Sequence, residues 1–405
     1  MATTSMRRCR DRSGFLVIWA LLLCPFSSAG EADQPSGGRL FEKEIEVIEK
    51  LRGVEFPSGM THREIRRADL KKFLRNAFAR DLSLSEQDYF DSLRALHLLD
   101  REPEDPLETL LDLYVSQVLA FYDPVDDIFY SIDETPAGSK VVMTEAFERA
   151  VTIHELVHAL QDHSFGAGET ISAVVDDWDR SLAYHALVEG EATLVMLAVL
   201  IDGLGGSLDQ ALADDQIVAA LGEAATMKLD EEGAPAYFIE SLKFPYVEGL
   251  AYAIRLYREG GWDALERAHR APPLSAAEIY DDQALEHIVP IGFQESLMET
   301  TLGEFHWRFL LGDQAASEWV ADRVAIIRGD EGLNILAVTK WSSAGAAAGF
   351  ADAYGAFLRM EGRKPLVHVD DQSVTVVYGS DQELCEDLMK HALSRHAAEE
   401  GIEHQ

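Results

Sequence analysis

The feature that most narrows what this chain can be is a five-residue run, His154-Glu155-Leu156-Val157-His158. On a helix, positions i and i+4 stand one turn apart on the same face, so both imidazoles can be aimed at one ion. Glu155 sits one step round from His154, near enough to reach a metal-bound water without ligating the metal. Zinc lowers the pKa of such a water towards 7, and an adjacent carboxylate takes the proton as the water attacks. The positions around the motif are apolar, with Ile153, Leu156, Val157 and Leu160. A helix that buries three ionisable side chains needs a counter-charge, and a zinc ion supplies one. The plainer alternative, two surface histidines on an ordinary helix, fits these surroundings poorly.

Two histidines leave a third ligand to be found. One known zinc pattern continues the helix with a glycine and a third histidine, which would fall at Gln161 and Ser164 here, so it fails. His163 lies five residues after His158 and points off the ligand face. The remaining choice is a carboxylate on another element. Glu189, in Leu187-Val188-Glu189-Gly190-Glu191-Ala192-Thr193, interrupts an otherwise apolar helical stretch and is favoured. Glu191, two positions round, and the loop residues Asp176, Asp177 and Asp179 are the alternatives.

Arg7, Arg8, Arg10 and Arg12 precede an apolar run from Phe15 to Phe26, and Ser27, Ser28 and Ala29 follow. This reads as a secretory signal peptide over 1–29, with an apolar run short for a bilayer span. An uncleaved anchor is the alternative; a lipoprotein signal at Cys24 is disfavoured by Leu23 before it and Pro25 after. Loss of four arginines and Asp11 carries the formal charge from −36 to −39. Such a surface lacks the basic footprint that phosphate binding needs, so nucleic acid is excluded as a partner. Cys9 and Cys24 lie in the leader, which leaves Cys385 alone and no disulfide within the mature chain. The expected location is secreted or periplasmic.

The 47% hydrophobic and 26% charged content is that of a globular protein. Helical periodicity covers 40–51, 66–78, 85–98 and 107–120. A short strand is expected over 128–132 and the metal helix from 144 to about 163, with an acidic loop over 169–179. A second long helix is expected over 180–202. Helix then runs from 208 to about 260, broken near Phe244-Pro245, and again from 293 to 311. After Gly312 two hairpins, 320–340 and 366–378, alternate with helices over 344–360 and 382–397, giving a β-β-α-β-β-α order with the look of an internal duplication. The division is a leader (1–29), an N-terminal helical region (30–114), a core with a helical subdomain (115–312) and a C-terminal α+β unit (313–405).

These residues resemble the glutamate-zincins (gluzincins), which carry the same histidine pair on one helix and a glutamate ligand on the next. In aminopeptidase-type members that glutamate is followed by glycine, a variable residue and alanine, like Glu189-Gly190-Glu191-Ala192. The spacing from His158 is longer here, and Thr193 stands where many members have an aspartate that orients a zinc-binding histidine; Asp162 is the candidate for that role. The resemblance implies that the strand over 127–133 is a substrate-binding edge. It also implies that Tyr246 is an oxyanion donor, a core tyrosine being the equal alternative. The wider chain is similar to uncharacterised bacterial proteins sharing Phe121-Tyr122-Asp123-Pro124, Phe244-Pro245-Tyr246, Trp319 and Asp322-Arg323. Trp319, Arg323 and Trp341 read as structural.

The expectation is therefore a mainly helical α+β protein with a zincin-like core. Zn2+ would be held by His154, His158 and Glu189, with Glu155 as general base, for hydrolysis of a peptide or protein substrate. The rivals are a non-catalytic zincin-fold module of the cell envelope and a zinc hydrolase of a non-peptide substrate.

Overall fold

The computed structural model describes residues 41–132, 145–214, 216–218, 233–281, 291 and 296–403. The leader expected over 1–29 lies outside them. The protein is mixed α+β and mainly helical, with two small sheets. No helix among the described residues is long and apolar enough to cross a membrane.

The N-terminal part runs α1 (Glu42–Arg52), β1 (Thr61–Ile65), α2 (Arg67–Asp81), α3 (Glu86–Ala95), α4 (Pro106–Gln117), β2 (Ala120–Asp123) and β3 (Ile128–Ile132). Helices α3 and α4 start at capping residues. The Ser85 hydroxyl accepts from the Asp88 N–H, and the Asp105 carboxylate accepts from the Glu108 N–H with Pro106 opening the first turn. The three strands order β1-β3-β2, with β3 parallel to β1 and antiparallel to β2. The strand expected as a substrate-binding edge is thus the central one, paired on both sides. The edge next to the helix that carries His154 and His158 belongs to β2, for which no strand is expected from the sequence; only its first residue, Ala120, falls in the expected helix over 107–120.

Two long helices carry the middle of the chain: α5 (Glu145–Phe165) and α7 (Trp178–Gly203). Between them 167–174 form a further helix, α6 (Ala167–Val174), where a loop was expected. Almost every residue of α7 from Ala183 to Met196 is buried, so it lies at the centre of the molecule with neighbours on all sides. After the short α8 (Leu208–Leu212) comes α9 (Ala236–Arg270), which passes through Pro245 without stopping; its helical dihedrals fail instead at Gly260 and Gly261. Helices α7 and α9 touch backbone to backbone. A Cβ at Gly190 would meet the Gly249 carbonyl oxygen at 2.0 Å, and one at Gly249 would meet the Ala186 carbonyl oxygen at 2.2 Å. Only glycine permits that approach.

Downstream are α10 (Ala276–Asp281), β4 (Ser296–Thr300), α11 (Gly303–Leu311) and α12 (Asp313–Ala316), then β5 (Trp319–Gly329) and β6 (Gly332–Trp341). They are followed by α13 (Ala344–Met360), β7 (Leu366–Asp370), β8 (Ser373–Gly379) and α14 (Gln382–Glu403). The expected helix over 293–311 holds β4 as well as α11. The antiparallel sheet orders β4-β5-β6-β8-β7, so β4 adds a fifth strand to the expected two hairpins. Alternate residues point to its two faces. Val374, Val376 and Tyr378 join Phe350 and Tyr354 of α13 in the main core, while Val377 and Leu336 join Cys385 and Leu388 of α14 in a smaller one.

Candidate metal centre

His154 and His158 project from one face of α5 towards α7, where Glu189 meets them. The Nε2 atom of His154 lies 3.0 Å from Glu189 Oε2, and that of His158 lies 3.7 Å from the same oxygen. The three ligand atoms fall within 4.8 Å of one another, and all three side chains are buried. Bonds of ~2.0–2.1 Å at tetrahedral angles set ligand atoms about 3.3 Å apart, which these separations bracket. The three residues therefore form a buried group suited to hold a metal ion.

The electrostatics point the same way. Burial pushes the Glu155 carboxyl well above the ordinary range, with Glu189 adding to the shift and the Tyr122 N–H opposing it. Burial likewise raises Glu189, against the pull of His154 and Tyr246. His158 is held well below an ordinary imidazole by burial and by His154 beside it. A cation among them would favour ionised carboxylates and neutral imidazoles together. Two atoms at the site, His154 Nδ1 and Glu155 Oε1, are buried without a hydrogen-bond partner among the described residues.

Glu155 reaches across to the small sheet. Its Oε2 accepts from the backbone N–H of Tyr122 at 3.2 Å, on the outer edge of β2. One carboxylate oxygen is thus anchored and the other is left for a proton. Tyr246, on α9, stacks its ring on His154 at 6.4 Å between centroids, with its hydroxyl in hydrogen-bond contact with Glu189. The structure brings this tyrosine to the group on the side of the third ligand.

The residue that orients His158 is Gln161, not Asp162. Gln161 Oε1 faces His158 Nδ1 at 2.9 Å, while its Nε2 donates to Val188 O at 3.0 Å and to Glu191 Oε2 at 2.7 Å. Both amide hydrogens are committed to acceptors, so the amide orientation follows from its partners. His158 must then carry its proton on Nδ1, which leaves Nε2 as the bare nitrogen facing Glu189. Glu191 is held in turn by Arg52 of α1 at 2.6 Å and by His269 of α9 at 2.6 Å. Asp162 instead accepts from the Tyr122 hydroxyl at 3.2 Å and from the Gly168 N–H at 2.9 Å. Only the spacing of Gln161 from His158, three residues on one helix face, hinted at its role.

The other carboxylates lie apart from the group. Asp176 accepts from Ser83, Asp177 caps α7 and faces Arg323 at 3.5 Å, and Asp179 accepts from the Ala276 N–H at 2.9 Å. His163 bonds Asp127 at 2.9 Å. Trp319 donates to Asp322 at 3.0 Å and Trp341 to Thr339 at 2.8 Å, both within the C-terminal unit. Comparison of the chain with protein-family models, with curated proteins and with solved structures gives no match.

Proposed function

We propose that this chain is a zinc-dependent peptidase of glutamate-zincin type, exported by its leader. The observation that carries the reading is Glu155: a buried carboxylate beside the two-histidine, one-glutamate group, with one oxygen anchored to the sheet and the other without a partner. A site that only stores metal has no use for such a group. Held by His154, His158 and Glu189, zinc would supply an activated water and polarise the carbonyl under attack. Glu155 takes the proton released in the attack and can return it to the leaving amine. Tyr246 stands over the third ligand with a hydroxyl suited to donate to developing negative charge. Gln161 and Glu191 keep the His158 ring in place throughout.

The test is Glu155→Gln, an isosteric change that removes the base and keeps the ligands. Bound zinc per chain is expected to stay at the wild-type value while peptide hydrolysis falls by roughly 10²–10⁴-fold. Full biological effect in the variant, with zinc retained, would mean the chain works as a binding module instead.

A further inference from the structure

A cavity of about 310 Å³ runs into the molecule and borders the proposed metal centre at Glu189 and Tyr246. Its mouth is at the exposed residues Ser83 and Asp176; its buried lining includes Glu189 and Tyr246. One stripe of α7, Ser181-His185-Glu189, forms a wall at i, i+4, i+8 spacing, which spans about 12 Å along the helix axis. Facing it are Phe78, Leu110, Tyr114 and Phe238, from α2, α4 and α9.

The lining decides what fits. Volumes of this order are at the small end of ligand sites, ~300–1,000 Å³, so the space takes one bulky group rather than a folded segment. Among the described residues that line it there is no lysine or arginine, so an acidic group would enter without a counter-charge. Inside, Asp81 is paired with Arg80 and Glu189 with His154, and the remaining carboxylate, Asp176, lies exposed at the mouth, where it accepts from Ser83. A cationic group reaching the inner part would therefore have to compete with Arg80 or His154. The walls are largely rings and aliphatic chains, which favour an uncharged aromatic group by area and by ring-to-ring contact.

Two acceptors add detail. His185 donates from Nδ1 to the Ser181 carbonyl at 2.6 Å, which leaves Nε2 on the other edge of the ring as an acceptor. Pro245 has no N–H to offer the Ser241 carbonyl one turn earlier in α9, and both residues line the cavity. Both acceptors belong to lining residues, and a tyrosine hydroxyl or an indole N–H is the kind of donor they would take.

We propose, resting on the peptidase reading, that this cavity is the specificity pocket of the site and takes the aromatic side chain of the residue beside the bond cleaved.

The experiment pairs a substrate series with a binding measurement. Zinc-loaded protein is given peptides in which one position at a time carries Ala, Lys, Glu, Leu, Phe, Tyr or Trp. At one position next to the cleaved bond, the aromatic peptides should exceed the Ala, Lys and Glu peptides in kcat/KM by on the order of 10–100-fold. Ser241→Phe on α9 and, from the opposite wall, Ser181→Phe should each reduce that ratio to a few-fold, with circular dichroism confirming that the variants fold. Separately, indole binding to the wild type is measured by calorimetry and should be lost in both variants. Peptide cleavage with no aromatic preference, or with one that both filled variants retain, overturns the pocket assignment and leaves the peptidase reading intact. If no peptide is cleaved, the peptidase reading falls with the pocket's role in specificity. Indole that binds the variants as well as the wild type overturns the pocket in either case.

Discussion

Gln161 donates to the Glu191 carboxylate across 2.7 Å, and through that bond a residue outside the ligand group fixes which nitrogen of His158 carries the proton. With Val188 O taking its other hydrogen, the amide can offer only its oxygen to the imidazole.

Gln161→Leu keeps similar bulk and removes this hold. Zinc affinity, measured by competition with a chromophoric chelator, is expected to fall 10–100-fold while the far-ultraviolet dichroism stays that of the wild type. An unchanged affinity would show that the His158 ring is positioned without Gln161.

Zinc should stabilise the fold as well as activate it. At a free concentration 1,000 times the dissociation constant, a ligand that binds only the folded state adds about 4 kcal/mol. His158→Ala and Glu189→Ala are expected to lose most of this gain in urea unfolding, and Asp177→Ala to keep it, because Asp177 caps α7 away from the ligand atoms. Loss of the gain in the Asp177 variant alone would assign the third ligand wrongly.

Acid should weaken the metal-free protein through Glu191. Burial works to raise this carboxyl, but Arg52 and His269 outweigh it and bring it down to about 2 from an ordinary 4.5. A carboxyl depressed on folding adds stability above the unfolded value, here about 3 kcal/mol, and loses it as pH falls from near 4.5 towards 2. With chelator present, Glu191→Gln should be less stable at pH 7 and show a shallower decline across that window. Parallel curves for the two proteins would contradict the ion-pair account.

The α7–α9 contact makes a small substitution costly. Gly249→Ala places a methyl 2.2 Å from the Ala186 carbonyl oxygen, so one helix must move. The expected loss is on the order of 1–3 kcal/mol in urea unfolding, together with weaker zinc binding, since these two helices carry Glu189 and Tyr246. Wild-type values for both would mean that the helices separate freely.

How much of this was legible beforehand varies with the range of the interaction. His154, Glu155 and His158 follow from one helical turn, and Glu189 stands out as a charge in an apolar run. The C-terminal hairpins and the helix Ala344–Met360 carry clear local signals, and the structure holds them near the expected limits. What stayed hidden is non-local. Strand β2 has only four residues and pairs with a partner across a turn, so its short apolar run gives no periodicity from which a strand can be read. Pro245 looked like a break because local rules cost it at ~3 kcal/mol or more, yet packing against α7 carries the helix through. The Arg52–Glu191–Gln161 chain joins three segments far apart in sequence, and no periodicity announces it.

That chain also sets where the protein can be cut. Arg52 is the last residue of α1, and its guanidinium reaches the carboxylate that holds Gln161. Proteolytic trimming that stops before Glu42 leaves this support whole, whereas trimming that takes α1 strips Glu191 of its buried cation. The candidate metal centre thus draws support from a helix far upstream in the sequence, and loss of that helix is expected to loosen the His158 ring.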